Sequence, residues 1–133
     1  MEIRDVLKMR NVAVVGLSDK PERPSYDVAE YLLGQGYAII PVNPNIAEWK
    51  GIRAYPSLSS IPKSVKVEVV DIFRKSEDVP PVVEEAIAIG AKAVWMQLGV
   101  VNGKAAARAR EAGLAVVMDR CMKIERMRLS ASE

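Results

Sequence analysis

Val14–Leu32 reads VVGLSDKPERPSYDVAEYL. A β-branched run, one glycine and a segment with helical spacing follow one another, which is the order of a strand, an anion-binding turn and a helix. The glycine signature of a dinucleotide loop is nevertheless incomplete. The spacing G-x-G-x-x-G needs further glycines within five residues of Gly16, where the chain has Leu17, Ser18, Asp19, Lys20 and Pro21. What stands there instead suits an anion: Pro24 fits an early helical position, Ser25 can cap, and Lys20 and Arg23 add positive charge beside the helix N-terminus. On local pattern alone, a phosphate cradle and a set of ordinary cap and surface residues are equally good readings.

Outward from this stretch, five segments read as buried strands: NVAVVGL from Asn11, YAIIPVN from Tyr37, KVEVVDIF from Lys66, KAVWMQL from Lys92 and LAVVMD from Leu114. Their apolar character is continuous rather than alternating, as expected of strands covered on both faces of a parallel sheet. Between them, SYDVAEYLLGQG places Val28, Ala29, Leu32 and Leu33 on one helical face, VVEEAIAIG repeats the pattern, and GKAAARAREAG sets small alanines where a helix must approach a sheet closely. These helices end at Gly36, Gly90 and Gly113, each just before the next strand. The second helix starts between Ser76 and Pro81, and Ile46–Ser64 reads as a loop with one short helical turn.

Strands alternating with helices imply right-handed crossovers and a doubly wound α/β sheet, in the order 3-2-1-4-5 or 2-1-3-4-5. Either order places a ligand beyond the carboxyl ends of the strands. Four segments meet there: the loop after Gly16, NPN at Asn43, FRK at Phe73 and QLG at Gln97.

Composition narrows the chemistry. The 133 residues fit one domain spanning the whole chain, half of them apolar and about a quarter charged. A net charge of +2, dispersed along the chain, gives no footprint for nucleic acid. No apolar run is long enough to cross a bilayer, and MEIRDVLKMR lacks the apolar stretch of a secretory signal, so a cytoplasmic protein is expected. Histidine is absent and Cys121 is the one cysteine. Histidine-based triads, His-ligated metals, phosphohistidine and internal disulfides are thereby excluded within this chain.

The end of the second strand discriminates further. A nicotinamide-dinucleotide domain ends it with Asp or Glu on the ribose hydroxyls, and here stand Val42, Asn43 and Pro44. Arg53, the nearest arginine for a 2′-phosphate, lies across a loop.

Taken together, NVAVVGLSDKPERPSYDVAEYLLGQGYAIIPVNP, VDIFRKSEDVPPVVEEAI and WMQLGVVNGKAAARAREAGLAVVMDRC resemble the small stand-alone CoA-binding proteins, which are similar to the CoA-binding domain of the succinyl-CoA synthetase alpha subunit. The resemblance covers nearly the whole chain and rests on four segments in order rather than on one motif. It implies a Rossmann-like, mainly parallel five-stranded sheet in the order 3-2-1-4-5 with helices on both faces, and coenzyme A or an acyl-CoA as ligand. By the same resemblance Gly16, Leu17, Ser18, Lys20, Pro24 and Ser25 surround the diphosphate and phosphorylated ribose. Asn43 and Pro44 flank the nucleotide, Ile72, Phe73, Arg74 and Lys75 line its far side, and Met96, Gln97 and Gly99 bound the pantetheine arm. CoA carries a 3′-phosphate and a diphosphate, so it needs cations and no acid on its ribose, and Lys20, Arg23, Arg74 and Lys75 supply them.

The synthetase works with a second domain bearing a phosphorylated histidine, from which this chain departs, so a carrier, sensor or regulatory module is expected rather than an enzyme. An NAD(P)-dependent oxidoreductase domain and an interaction protein with a vestigial site are the rival readings, and a homodimer or a protein partner stays open. Asp71 and Asp119, near strand ends, are expected to tie loops to backbone amides. Cys121 is expected to be a small core residue, the alternative being a thiol activated by Arg120 and Lys123. Trp95 is assigned to the core, whereas Trp49 and Tyr55 are either loop anchors or partner contacts.

Overall fold

The computed structural model describes residues 1–132. Its central sheet has five parallel strands: β1 (Asn11–Val15), β2 (Ala38–Val42), β5 (Val69–Ile72), β6 (Ala93–Met96) and β7 (Ala115–Val117). A hairpin of β3 (Glu48–Trp49) and β4 (Ile52–Arg53) is separate from it. β1 lies between β2 and β5, with Val14 opposite Pro41 on one side and Asp71 on the other. The sheet order is β2-β1-β5-β6-β7, which numbers the five full strands 2-1-3-4-5 along the chain. One residue reconciles this with 3-2-1-4-5. Tyr55 makes a parallel bridge to Val42 on the outer side of β2. Counted as the third strand, it gives the order 3-2-1-4-5, with β7 added as a sixth.

Helices cover both faces, as continuous apolar strands require. The side chains of Ala13, Val15, Val70, Ile72, Val94 and Met96 pack under α3 (Val79–Ala88) and α4 (Gly103–Glu111). Ala105, Ala106 and Ala109 are the residues α4 turns inward, at most 3% exposed, which lets its backbone lie close to the strands. Val12, Val14, Val69, Ala93 and Trp95 form the opposite core with α1 (Ile3–Leu7), α2 (Pro24–Gly34) and α5 (Met122–Ser132). Pro80 and Pro81 fall in the first turn of α3, where a missing N–H breaks no helical bond. Gly36, Gly90 and Gly113 turn the chain out of their helices as the spacing predicts.

Three elements depart from the sequence expectation. Ile46–Ser64 holds the β3–β4 hairpin as well as the single 3₁₀ turn at Leu58–Ser60. Its turn residues, Lys50 and Gly51, both have positive φ (51° and 78°), the geometry of a two-residue hairpin. Strands of two residues leave no measurable period. α1 is only five residues long, and its last residue, Leu7, accepts a hydrogen bond from the hydroxyl of Tyr37, which immediately precedes β2. α5 turns Met122 into the core yet shows no sustained apolar stripe.

Candidate functional site

At the carboxyl end of β1 the chain passes very close to its neighbour. Gly16 has φ +87°, and a Cβ there would sit 2.2 Å from the Phe73 carbonyl oxygen, which only glycine avoids. Its N–H donates to the Val42 carbonyl at 2.8 Å, fixing the turn between β2 and β5. The loop is then held from within. The Ser18 N–H donates to Ser25 Oγ (2.9 Å) and the Lys20 N–H to Ser18 Oγ (3.1 Å). Asn43 Nδ2 donates to the Leu17 carbonyl (3.0 Å), while Asn43 Oδ1 accepts from the Asn45 N–H (2.9 Å).

Ser25 therefore does not cap α2. It lies inside the first turn, the cap residue is Arg23, and no side chain closes the helix end. Pro24 at the first position has no N–H, and the amides of Ser25 and Tyr26 make no hydrogen bond among the described residues. Two donors and the positive end of the α2 dipole thus face outward.

Pro24 and Ser25 of this turn line a cavity of about 470 Å³. Of the residues expected at the site, Gly16, Ser18, Lys20, Arg23, Pro24, Ser25, Asn43 and Phe73 line it. A second cavity of about 580 Å³ is lined by Arg74, Lys75 and Gln97 and shares Pro24 and Phe73 with the first, so the two make one elongated cleft. Five expected residues line neither. Leu17, Ile72 and Met96 are wholly buried, their side chains committed to the core. Pro44 and Gly99 are exposed outside both cavities.

The first cavity adds Asp19, Asn45 and Ile46, and the second adds Asp27, Val28, Leu98, Val100, Cys121 and Ile124. Ile124 sits on α5, whose weak amphipathicity hid it, whereas Leu98 stands inside the QLG segment already placed at this edge.

Charge is distributed unevenly. Lys20, Arg23, Arg74 and Lys75 have no ion-pair partner among the described residues. Arg120 and Lys123 do, with Glu125 at 3.8 Å and Asp27 at 2.9 Å. Both cations expected to activate Cys121 are thus already matched by carboxylates. The thiol itself is half-buried in the wall of the second cavity rather than deep in the core.

The two strand-end carboxylates also part company. Asp119 Oδ1 accepts the Gly99 N–H at 2.7 Å, the loop tie expected of it. Asp71 ties nothing: it is 0% exposed, and neither carboxylate oxygen has a hydrogen-bond partner. Burial pushes its carboxyl well above the ordinary range, because removing a charge from water is costly without a partner.

Gln97 is 4% exposed and joins the end of β6 to α5 by accepting the Met122 N–H on Oε1 (3.0 Å). Trp95 is core, with Nε1 donating to the Arg120 carbonyl (2.8 Å). Trp49 anchors the hairpin, 1% exposed and edge-on to Tyr26 at 5.5 Å. Tyr55 is held through its backbone, donating to Pro41 and accepting from Asn43.

Residues 10–127 match the family model described as a CoA binding domain. The chain is similar to the uncharacterized protein YneT of Bacillus subtilis, at 42% identity over 124 residues, covering 92% of this chain and 90% of that protein. It is also similar to an ADP-forming acetate–CoA ligase of Archaeoglobus fulgidus, at 31% identity over 93 residues. That match covers 68% of this chain and only 14% of the ligase. Among solved structures, a hypothetical protein from Pyrococcus horikoshii superposes with a TM-score of 0.91 at 46% identity, covering 96% of this chain and 89% of that one.

Proposed function

We propose, from the premise that this chain belongs to the CoA-binding domain family, that it binds coenzyme A in the two-part cleft as a carrier, sensor or regulatory module. The observation that carries the reading is the first cavity. The first turn of α2, with Ser25 and its free amide, and two unpaired cations, Lys20 and Arg23, line it, and the strand that would offer an acid to a ribose is followed by Asn43 instead. Helix amides and dipole suit a diphosphate, and the cations suit the additional 3′-phosphate. From there the ligand's arm passes Pro24 and Phe73 into the second cavity, between Arg74, Lys75 and Gln97. Leu17, Ile72 and Met96 act beneath the cleft as packing that fixes its floor. In this reading residues 1–133 work as one cytoplasmic domain, and any thioester chemistry belongs to a partner.

Carboxylates offer little for catalysis by the chain itself. Asp71 is sealed in the sheet and Asp119 is held by Gly99, which leaves Asp19 and the paired Asp27 along the cleft.

Titration calorimetry with CoA, dephospho-CoA, NAD and NADP in one buffer tests the reading. CoA is expected to bind most tightly, with dephospho-CoA weaker, and Lys20→Ala or Arg74→Ala is expected to weaken CoA by roughly five- to tenfold each. NAD binding in the absence of CoA binding overturns it.

A further inference from the structure

We infer that the cleft takes its ligand as an acyl thioester, the second cavity holding an apolar acyl chain; this rests on the reading of the first cavity as a CoA site. Polarity changes along the cleft. The phosphate-matching groups, Lys20, Arg23 and the free amide of Ser25, gather at one end. Beyond the shared residues Pro24 and Phe73, Val28, Leu98, Val100 and Ile124 add an apolar stretch to the wall, beside Asp27, Arg74 and Lys75. Leu98 is 66% exposed and Ile124 41%.

The exposure is not scattered. Apart from Met1, the exposed large apolar side chains among the described residues are Leu98 and Val101 in the segment after β6, and Ile124 and Met127 three residues apart on α5. Leu98 and Ile124, one from each segment, line the second cavity, and exposed apolar side chains gathered at a cavity mark a binding site. The occupant must also be continuous with a phosphorylated ligand, since the cavities share two residues. Free CoA brings a polar arm and a thiol to this wall and leaves it wet, whereas an acyl chain covers it.

Gln97 supplies a polar fixing point. Its Oε1 is occupied by the Met122 N–H, and its Nε2 makes no hydrogen bond among the described residues although the side chain is nearly buried. A carbonyl of the arm or of the thioester fits that donor, which sits beside the apolar wall.

The test is a calorimetric series of CoA, acetyl-, butanoyl-, hexanoyl- and octanoyl-CoA on the intact protein. Affinity is expected to rise about two- to fourfold per added methylene before levelling off. Leu98→Ser and Ile124→Ser, both surface changes, are expected to flatten that rise. Free CoA binding as tightly as every acyl form overturns the inference and leaves the CoA reading standing. A chain-length rise unchanged in both variants overturns the placement of the chain. Absence of binding by the whole series overturns both readings together.

Discussion

A methyl group at position 16 would collide with the Phe73 carbonyl oxygen, a backbone atom that cannot step aside alone. The left-handed backbone adds a penalty of about 1–2 kcal/mol for any side chain. Gly16→Ala is therefore expected to lower stability by about 2 kcal/mol or more and to abolish CoA binding, read by thermal unfolding and calorimetry on the same sample. Asp71 makes a different prediction. Its folded pKa lies above the unfolded value, so between the two the native state holds a proton that the unfolded chain has lost. Stability then falls as pH rises from about 4. Asp71→Asn removes the titration. Its melting temperature is expected to exceed that of the parent at pH 8 and to converge with it near pH 4, and parallel profiles for the two proteins would refute the account.

Elements here are legible to the degree that their side chains repeat. Val12–Val15 is covered on both faces and is an uninterrupted apolar run, Val69–Ile72 is equally covered with the buried Asp71 as its one polar residue, and Ala105, Ala106 and Ala109 mark the inward face of α4. The hairpin is opaque because two residues per strand carry no period, and its stability comes instead from one buried ring, Trp49. Trp49→Ala is expected to cost about 3–5 kcal/mol, measured by denaturant unfolding. By contrast, the Lys123–Asp27 pair between α5 and α2 is partly exposed on both sides, and Lys123→Ala is expected to change stability by less than about 1 kcal/mol. The site divides in the same way. Glycine, proline and cations announced the anion end, whereas Leu17, Ile72 and Met96 neighbour the loops in sequence yet are buried, because helices cover both faces of the sheet and residues on either face enter a core.

Across the whole molecule, a net charge of only +2 conceals a local imbalance. Four cations line the cleft without ion pairs among the described residues, against the carboxylates of Asp19 and the already paired Asp27. CoA affinity is accordingly expected to fall as salt is raised from 50 to 500 mM, and Asp19→Asn to tighten binding by about two- to threefold, with titrations at both ionic strengths as the check. Tyr55 also affects how copies of this chain meet. On the outer edge of β2 its N–H is spent on the Pro41 carbonyl and its own carbonyl on the Asn43 N–H, while Pro41 has no hydrogen to offer. The opposite margin, β7, is three residues long. A sheet so terminated gives an incoming strand only a short template, which disfavours growth into a continuous intermolecular sheet.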